Sequence, residues 1–285
     1  MKESWIDLHV HSTYSDGILT PAEMIQRAAK LKLAAIGIAD HDTIDNIEDA
    51  LAAGKEYQVE VVPAVELSCQ YNGRDVHILG YYFDNDNDKL NRHLKLFRDV
   101  RLHRAEKIVS NLKKQGIHID FNDVVEKSKG SSVGRPHIAE VLMETGYVET
   151  FQEAFYKYIG YDGDAYVEKF KINPEEAIAL INNARGLSFL AHPGPLINDE
   201  MIQHLIKVGL DGIEVIHPRL KSSRTQELQK VIHDSHLLMS GGSDCHGGRN
   251  GKSLMGEYSV PYAILEDMKA SYLERTGSEW SLHES

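Results

Sequence analysis

Cysteine is scarce in this chain: 285 residues carry only Cys69 and Cys245, far apart and outside any C-x-x-C pair. That scarcity excludes a disulfide framework and a thiolate zinc site, and leaves any metal to nitrogen and oxygen ligands in a reducing compartment. A long apolar run is also missing, as is a basic-then-apolar leader, so neither a membrane span nor a secretory signal is expected, and the cytoplasm is the expected location. Positive charge is in short supply. The 31 lysines and arginines against 43 acids give a net charge of −12, which argues against a protein that grips long nucleic acid. No internal repeat or low-complexity tract interrupts the chain, and 42% hydrophobic residues suffice for a substantial core.

What the chain does have is histidine, placed with regularity. In "DLHVHSTYSDG", Asp7 to Gly17, side chains alternate between faces, so Asp7, His9 and His11 project together while Leu8 and Val10 point away. Taken alone, an H-x-H pair is equally compatible with a solvated edge strand and with metal binding. The remaining short apolar runs, "LAAIGIAD", "VEVVPAVEL", "DVHILGYYF", "LSFLAHP", "DGIEVIHP" and "HLLMSGGSD", bring the buried-strand candidates to seven. Helical patterns lie between most of them, one opened by Thr20 and Pro21, another by Asn173 and Pro174. Such alternation implies a mainly parallel sheet or barrel. The third and fourth strands, joined by a short turn at Asn72 and Gly73, form the antiparallel exception.

Chemical residues gather at the strand ends. Asp16 follows the first strand, His41 the second, Glu66 closes the third, His192 ends the fifth, His217 the sixth, and Asp244 with His246 follows the seventh. Carboxyl ends of parallel strands converge on one rim, where ligands bind, so this joint placement favours a metal centre over scattered structural histidines. Asp7, Asp40 and Asp42 are placed either to orient ligand imidazoles or merely to hold strand ends.

In chain order, "DLHVHSTYSDG", "IADHDT", "AVELS", "DVHILGY", "FLAHPG", "GIEVIHP" and "GSDCHG" resemble the PHP (polymerase and histidinol phosphatase) family of metal-dependent phosphoesterases, over nearly the whole chain. The resemblance implies an α/β fold, a distorted seven-stranded β/α (TIM-like) barrel with two to three divalent metal ions in its mouth. By that resemblance His9, His11, Glu66 and Asp244 hold a first metal, and Glu66 bridges to a second held by His77 and His192. Asp16, His41 and His246 hold a third. Nitrogen and oxygen ligands of this kind suit Mn2+, Fe2+ or Zn2+. The expected chemistry is attack of a metal-activated hydroxide on phosphorus without a protein nucleophile. His217 protonates the leaving oxygen, binds substrate, or only packs beside Pro218.

One phosphate-loop look-alike, "HGGRNGKS", fails on spacing, because His246 stands where the first glycine is required. It reads instead as the loop after Asp244 and His246, with Arg249 and Lys252 at hand for substrate or solvent.

Residues 1–89 and 173–285 are assigned to the barrel and 90–172 to a small helical insertion that sets specificity. The first helix of the insertion carries Leu90, Leu94, Phe97, Ile108 and Leu112 as an apolar stripe, with Arg101 and Arg104 where leucine would continue it. Those arginines either pair with buried acids or overhang the metals to grip phosphate. "VGRPHIAEVLMETG" adds Arg135 and His137 at a helix start, where backbone donors favour anions. The "GRPHIA" string resembles the nucleotide-directed branch of the family, which implies phosphate binding by Arg104 and Arg135. The substrate expected is a small nucleotide of the nucleoside 3′,5′-bisphosphate type. Alternatives are 5′-to-3′ trimming of short 5′-phosphorylated RNA, hydrolysis of histidinol phosphate, and a non-catalytic metal-binding module.

Overall fold

The structure, a computed structural model, describes residues 4–128, 132–168, 170, 172–194, 197–248, 253–258 and 260–281. Its strands form one sheet in the order β7-β6-β5-β4-β3-β2-β1-β8. They are β1 (Trp5–Val10), β2 (Ala35–Ile38), β3 (Glu60–Tyr71), β4 (Arg74–Tyr81), β5 (Leu187–Leu190), β6 (Gly212–Ile216), β7 (Leu238–Gly241) and β8 (Val260–Pro261). All seven expected strands are present, and β3 and β4 form the expected antiparallel pair. Asn72 and Gly73 turn between them with φ of 49° and 77°, the left-handed region a two-residue hairpin loop requires. β4 also runs antiparallel to β5.

Two differences from the sequence reading matter. β3 continues past Glu66 to Tyr71, so Glu66 sits within a strand instead of closing it. The eighth strand is two residues long, too short to carry any periodicity, and pairs antiparallel with β1. The barrel closes at its mouth through the segment after β7: Asp244 N–H donates to His9 O at 2.8 Å and His11 N–H to Cys245 O at 2.9 Å.

Helices cover the sheet where their caps predict. α1 (Pro21–Lys30) begins at Thr20, whose hydroxyl accepts from Glu23 N–H, and a later helix, Pro174–Asn183, begins at Asn173 in the same way. At the opposite end from the mouth, Tyr262 N–H bonds Ser4 O, and the closing helix Tyr262–Thr276 packs Leu265 and Met268 against Leu79, Tyr81 and Phe189. The long helix Asp88–Lys114 joins two cores. Its Leu90, Leu94 and Phe97 pack with the barrel cluster, whereas Ala105, Ile108, Val109 and Leu112 belong to a separate cluster that reaches Ala165. No helix among the described residues is long and apolar enough to cross a membrane.

Candidate active site

Strand alternation turns His9 and His11 to one side, both fully buried, at the mouth of the barrel. Their Nε2 atoms lie 3.2 Å apart. Glu66 Oε2 is 3.4 Å from each, and Asp244 Oδ1 is 3.2 Å from His11 and 3.8 Å from His9. Ligands about 2.1 Å from a common centre stand roughly 3.0–3.4 Å apart, so these spacings are those of a coordination shell. The other oxygen of Glu66 faces His77 Nδ1 at 2.8 Å and His192 Nε2 at 2.9 Å. His41 Nδ1 lies 3.0 Å from Glu66 Oε2. On the far side His246 Nε2 lies 3.2 Å from Asp16 Oδ1, and these two close a group with His11 and His41. All nine residues expected as ligands thus meet in one cluster.

The hydrogen bonds around the cluster decide which atoms are free for a cation. His9 Nδ1 is 2.9 Å from Glu214 Oε1, a fully buried carboxylate in β6. The carboxylate accepts the Nδ1 proton, and against burial Glu214 and Glu66 hold the imidazole well above its ordinary value, so His9 Nε2 meets His11, Glu66 and Asp244 with a proton or with a cation in its place. Lone pairs crowded at these distances repel unless a proton or a cation lies among them. Burial works to raise the Glu66 carboxyl, but the imidazoles of His77, His41 and His9 outweigh it and hold it well below the usual carboxylate range. Asp244 is likewise held down, against burial, by His11 and His217. Burial keeps His41 well below the ordinary imidazole value, in the neutral form that binds metal. The residues therefore fit divalent cations.

Glu214 is the functional residue that sequence reasoning passed over. Its second oxygen accepts the backbone N–H of His192 at 2.7 Å, so one carboxylate positions two members of the cluster. Of the two roles anticipated for the neighbouring aspartates, the hydrogen bonds are those of holding strand ends. Asp7 Oδ1 accepts from Ser243 N–H at 2.9 Å, and Asp40 gathers Ser12, Ser15 and Asn46. Asp42 accepts from Ser68 N–H at 2.7 Å and pairs with Arg101 at 2.5 Å. All three hold strand ends and loops in place, and Glu214 is what orients an imidazole.

Backbone conformation at the rim is also unusual. His192 and Asp244 have φ of 28° and 50°, left-handed values that L residues adopt at a cost, and both stand in the cluster. Gly242 makes the closure possible, since a Cβ there would lie 2.5 Å from both His9 Cβ and His9 N.

A cavity of about 460 Å³ opens above the cluster. It is lined by Asp16, His41, His77, His217, Asp244 and His246 of the barrel and by Arg101, Arg104, Arg135 and His137 with the rings of Phe151, Phe155, Tyr161 and Tyr166. Arg101 is the pairing arginine, committed to buried Asp42. Arg104 is buried, donates Nε–H to Val167 O at 2.7 Å, and has an Nη2 with no hydrogen-bond acceptor among the described residues. Burial and the adjacent Arg135 pull its guanidinium down to about 10, which leaves it a full cation at neutral pH. Arg135 donates to Ile159 O at 3.2 Å and lies between the rings of Phe155, Tyr161 and Tyr166, 5.2–5.7 Å from their centroids. His137 Nδ1 accepts Gly134 N–H at 3.1 Å, so it caps the helix Arg135–Glu144 as well as lining the cavity. His217 Nδ1 accepts Arg219 N–H at 3.1 Å, and its Nε2 faces Asp244 Oδ2 at 3.4 Å. Arg249 and Lys252 lie outside the described residues.

A strand-end cluster of imidazoles and carboxylates beneath an arginine-walled cavity defines the class: a metal-dependent hydrolase built on a barrel. The PHP domain family model matches residues 7–192, and the chain belongs to that family. It is similar, at 33% identity over 84% of this chain and 89% of the relative, to a protein of Haemophilus influenzae named 5′-3′ exoribonuclease. A Chromobacterium violaceum protein named 3′,5′-nucleoside bisphosphate phosphatase is 33% identical over 86% of this chain and 90% of its own. Among solved structures, a Bifidobacterium adolescentis protein assigned as a metal-dependent phosphoesterase superposes with a TM-score of 0.87 at 29% identity, covering 96% of this chain and 97% of that one. The protein is a metal-dependent phosphoesterase of the PHP family.

Proposed function

We propose that the protein removes one phosphate from a nucleoside 3′,5′-bisphosphate. The observation that carries this reading is that one cavity of about 460 Å³, a volume that suits a nucleotide, is lined both by the cation-seeking cluster and by Arg104 and Arg135. Two phosphates on one small molecule match these two kinds of lining. The Chromobacterium violaceum relative, by its name, acts on such a compound.

Within this reading His9, His11, Glu66 and Asp244 hold a first divalent ion, Glu66 with His77 and His192 a second, and Asp16, His41 and His246 a third, in the cytoplasm. Nitrogen and oxygen donors of this mix fit Mn2+, Fe2+ or Zn2+. Such ions neutralise phosphoryl oxygens and allow water to ionise near neutral pH. The rest is the work of the chain. Glu214 fixes the tautomer of His9, and the Arg219 N–H fixes that of His217 by occupying its Nδ1, so His217 holds its proton on Nε2. That proton faces Asp244 Oδ2 at 3.4 Å, at the lining of the cavity, from where it serves the departing ribose oxygen. Arg104 grips the second phosphate with its unengaged Nη2, supported by Arg135 and by the helix start beside His137. Segment 90–172 acts as the specificity cap that carries these groups.

Trimming of short 5′-phosphorylated RNA remains the second reading, favoured by the Haemophilus influenzae relative's name. Histidinol phosphate fits poorly, because Arg104 and Arg135 repel its ammonium group. The test is product analysis: the metal-loaded protein is expected to convert adenosine 3′,5′-bisphosphate to one adenosine monophosphate and one phosphate. Release of both phosphates, or no turnover with any of the three metals, refutes the reading.

A further inference from the structure

Tyr161 is a large aromatic residue left 60% exposed, yet it is held in place from three sides. Its hydroxyl donates to Asp75 Oδ2, the Arg135 guanidinium lies 5.2 Å from its ring centroid, and Tyr166 packs against it at 5.3 Å. Asp75 belongs to β4, on the same face as His77 and two residues before it, so the tyrosine is anchored about 7 Å along a strand from a proposed ligand. The ring lines the same cavity as the cluster and Arg104. An exposed ring is normally free to turn; this one has its polar end and its neighbours fixed, and its free surface is turned to the cavity rim.

We propose that Tyr161 is the platform on which the nucleobase of the substrate stacks, an inference that rests on the nucleotide reading above. The phosphates are taken by the cluster and by Arg104, which leaves the base as the part of the substrate without a partner. A tyrosine ring backed by a guanidinium offers a flat face to any base, with no pattern of donors and acceptors to prefer one. The enzyme then distinguishes nucleotides from other phosphoesters by stacking, and it accepts purines and pyrimidines alike. Arg135 and Tyr166 hold the ring itself, and the bond to Asp75 adds a tie to the barrel beside them.

The experiment compares adenosine 3′,5′-bisphosphate with its abasic analogue, 1-deoxyribose 3,5-bisphosphate, for the unaltered protein, Tyr161→Ala and Tyr161→Phe. Tyr161→Ala is expected to raise KM for the nucleotide about tenfold with kcat little changed, and to leave KM for the abasic compound within about twofold. Tyr161→Phe keeps the ring and is expected to recover most of the loss. Equal rises in KM for both compounds overturn the proposal, because a strut between the helical segment and β4 would weaken both alike. A Tyr161→Phe variant as poor as Tyr161→Ala overturns it for the same reason. If the unaltered protein turns over neither compound, the nucleotide reading itself has failed, which is a different result from a failure of the platform.

Discussion

Replacing Glu214 by glutamine keeps the side chain's shape but removes one hydrogen-bond acceptor and one buried negative charge beneath the cluster. Both partners of Glu214 are donors, His9 Nδ1–H at 2.9 Å and His192 N–H at 2.7 Å. Glutamine offers one oxygen and one NH2, so one of the two donors must face another donor. The backbone N–H of His192 cannot move its proton, whereas the His9 ring can, and it does so by shifting the proton to Nε2. That change removes the lone pair aimed at His11, Glu66 and Asp244. Loss of an orienting partner of this kind costs about 10–100-fold in metal affinity, roughly 1.4–2.7 kcal/mol. If the amide nitrogen faces His192 instead, a buried N–H is left unpaired at about 1–3 kcal/mol of stability. The assay is competition with a chelator of known affinity, read as metal retained per chain, alongside thermal unfolding with and without metal. Glu214→Gln is expected to bind metal at least tenfold more weakly, with a lower kcat/KM at fixed metal concentration. A variant that retains metal within twofold of the unaltered protein, and unfolds at the same temperature, refutes the assigned role.

Other perturbations test neighbouring parts of the account. Gly242→Ala forces a Cβ to within 2.5 Å of His9, so it is expected to open the barrel rim and lose metal, whereas Gly194→Ala, with nothing within 4 Å, is expected to be silent; metal content and unfolding temperature read both. Arg101→Ala strands the buried Asp42 carboxylate and is expected to lower stability by roughly 3–5 kcal/mol in denaturant unfolding. Arg104→Ala, which breaks no ion pair among the described residues, is expected to raise KM for the bisphosphate tenfold or more while keeping metal. Chelation is expected to lower the unfolding temperature, because Glu66, Asp244 and the facing imidazoles lose the cation that separates their lone pairs.

Much of the site could be read from the chain because each ligand sits at a strand end or in a strict alternation, and both patterns survive folding unchanged. His9 and His11 show the alternation, and His192 and Asp244 follow strands that were evident as apolar runs. Glu214 escaped because it lies inside such a run, "DGIEVIHP", where the hydrophobic neighbours drew attention to the strand and away from its one buried charge. A carboxylate in the middle of a buried strand was itself the available signal. Arg101 and Arg104 occupied equivalent places in the helical stripe and both line the cavity, and only the fold shows that Arg101 is committed to Asp42 while Arg104 bonds the Val167 carbonyl. The Tyr161 to Asp75 bond spans 86 positions of sequence and left no local trace.

The most direct test of the central claim is a side-by-side comparison of kcat/KM, with Mn2+, Fe2+ and Zn2+ each supplied, for adenosine 3′,5′-bisphosphate, a short 5′-phosphorylated RNA and histidinol phosphate. A cavity lined by both the cluster and the arginines predicts that the bisphosphate leads the other two by tenfold or more with the best metal. Equal values for all three, or a lead for histidinol phosphate, would contradict it.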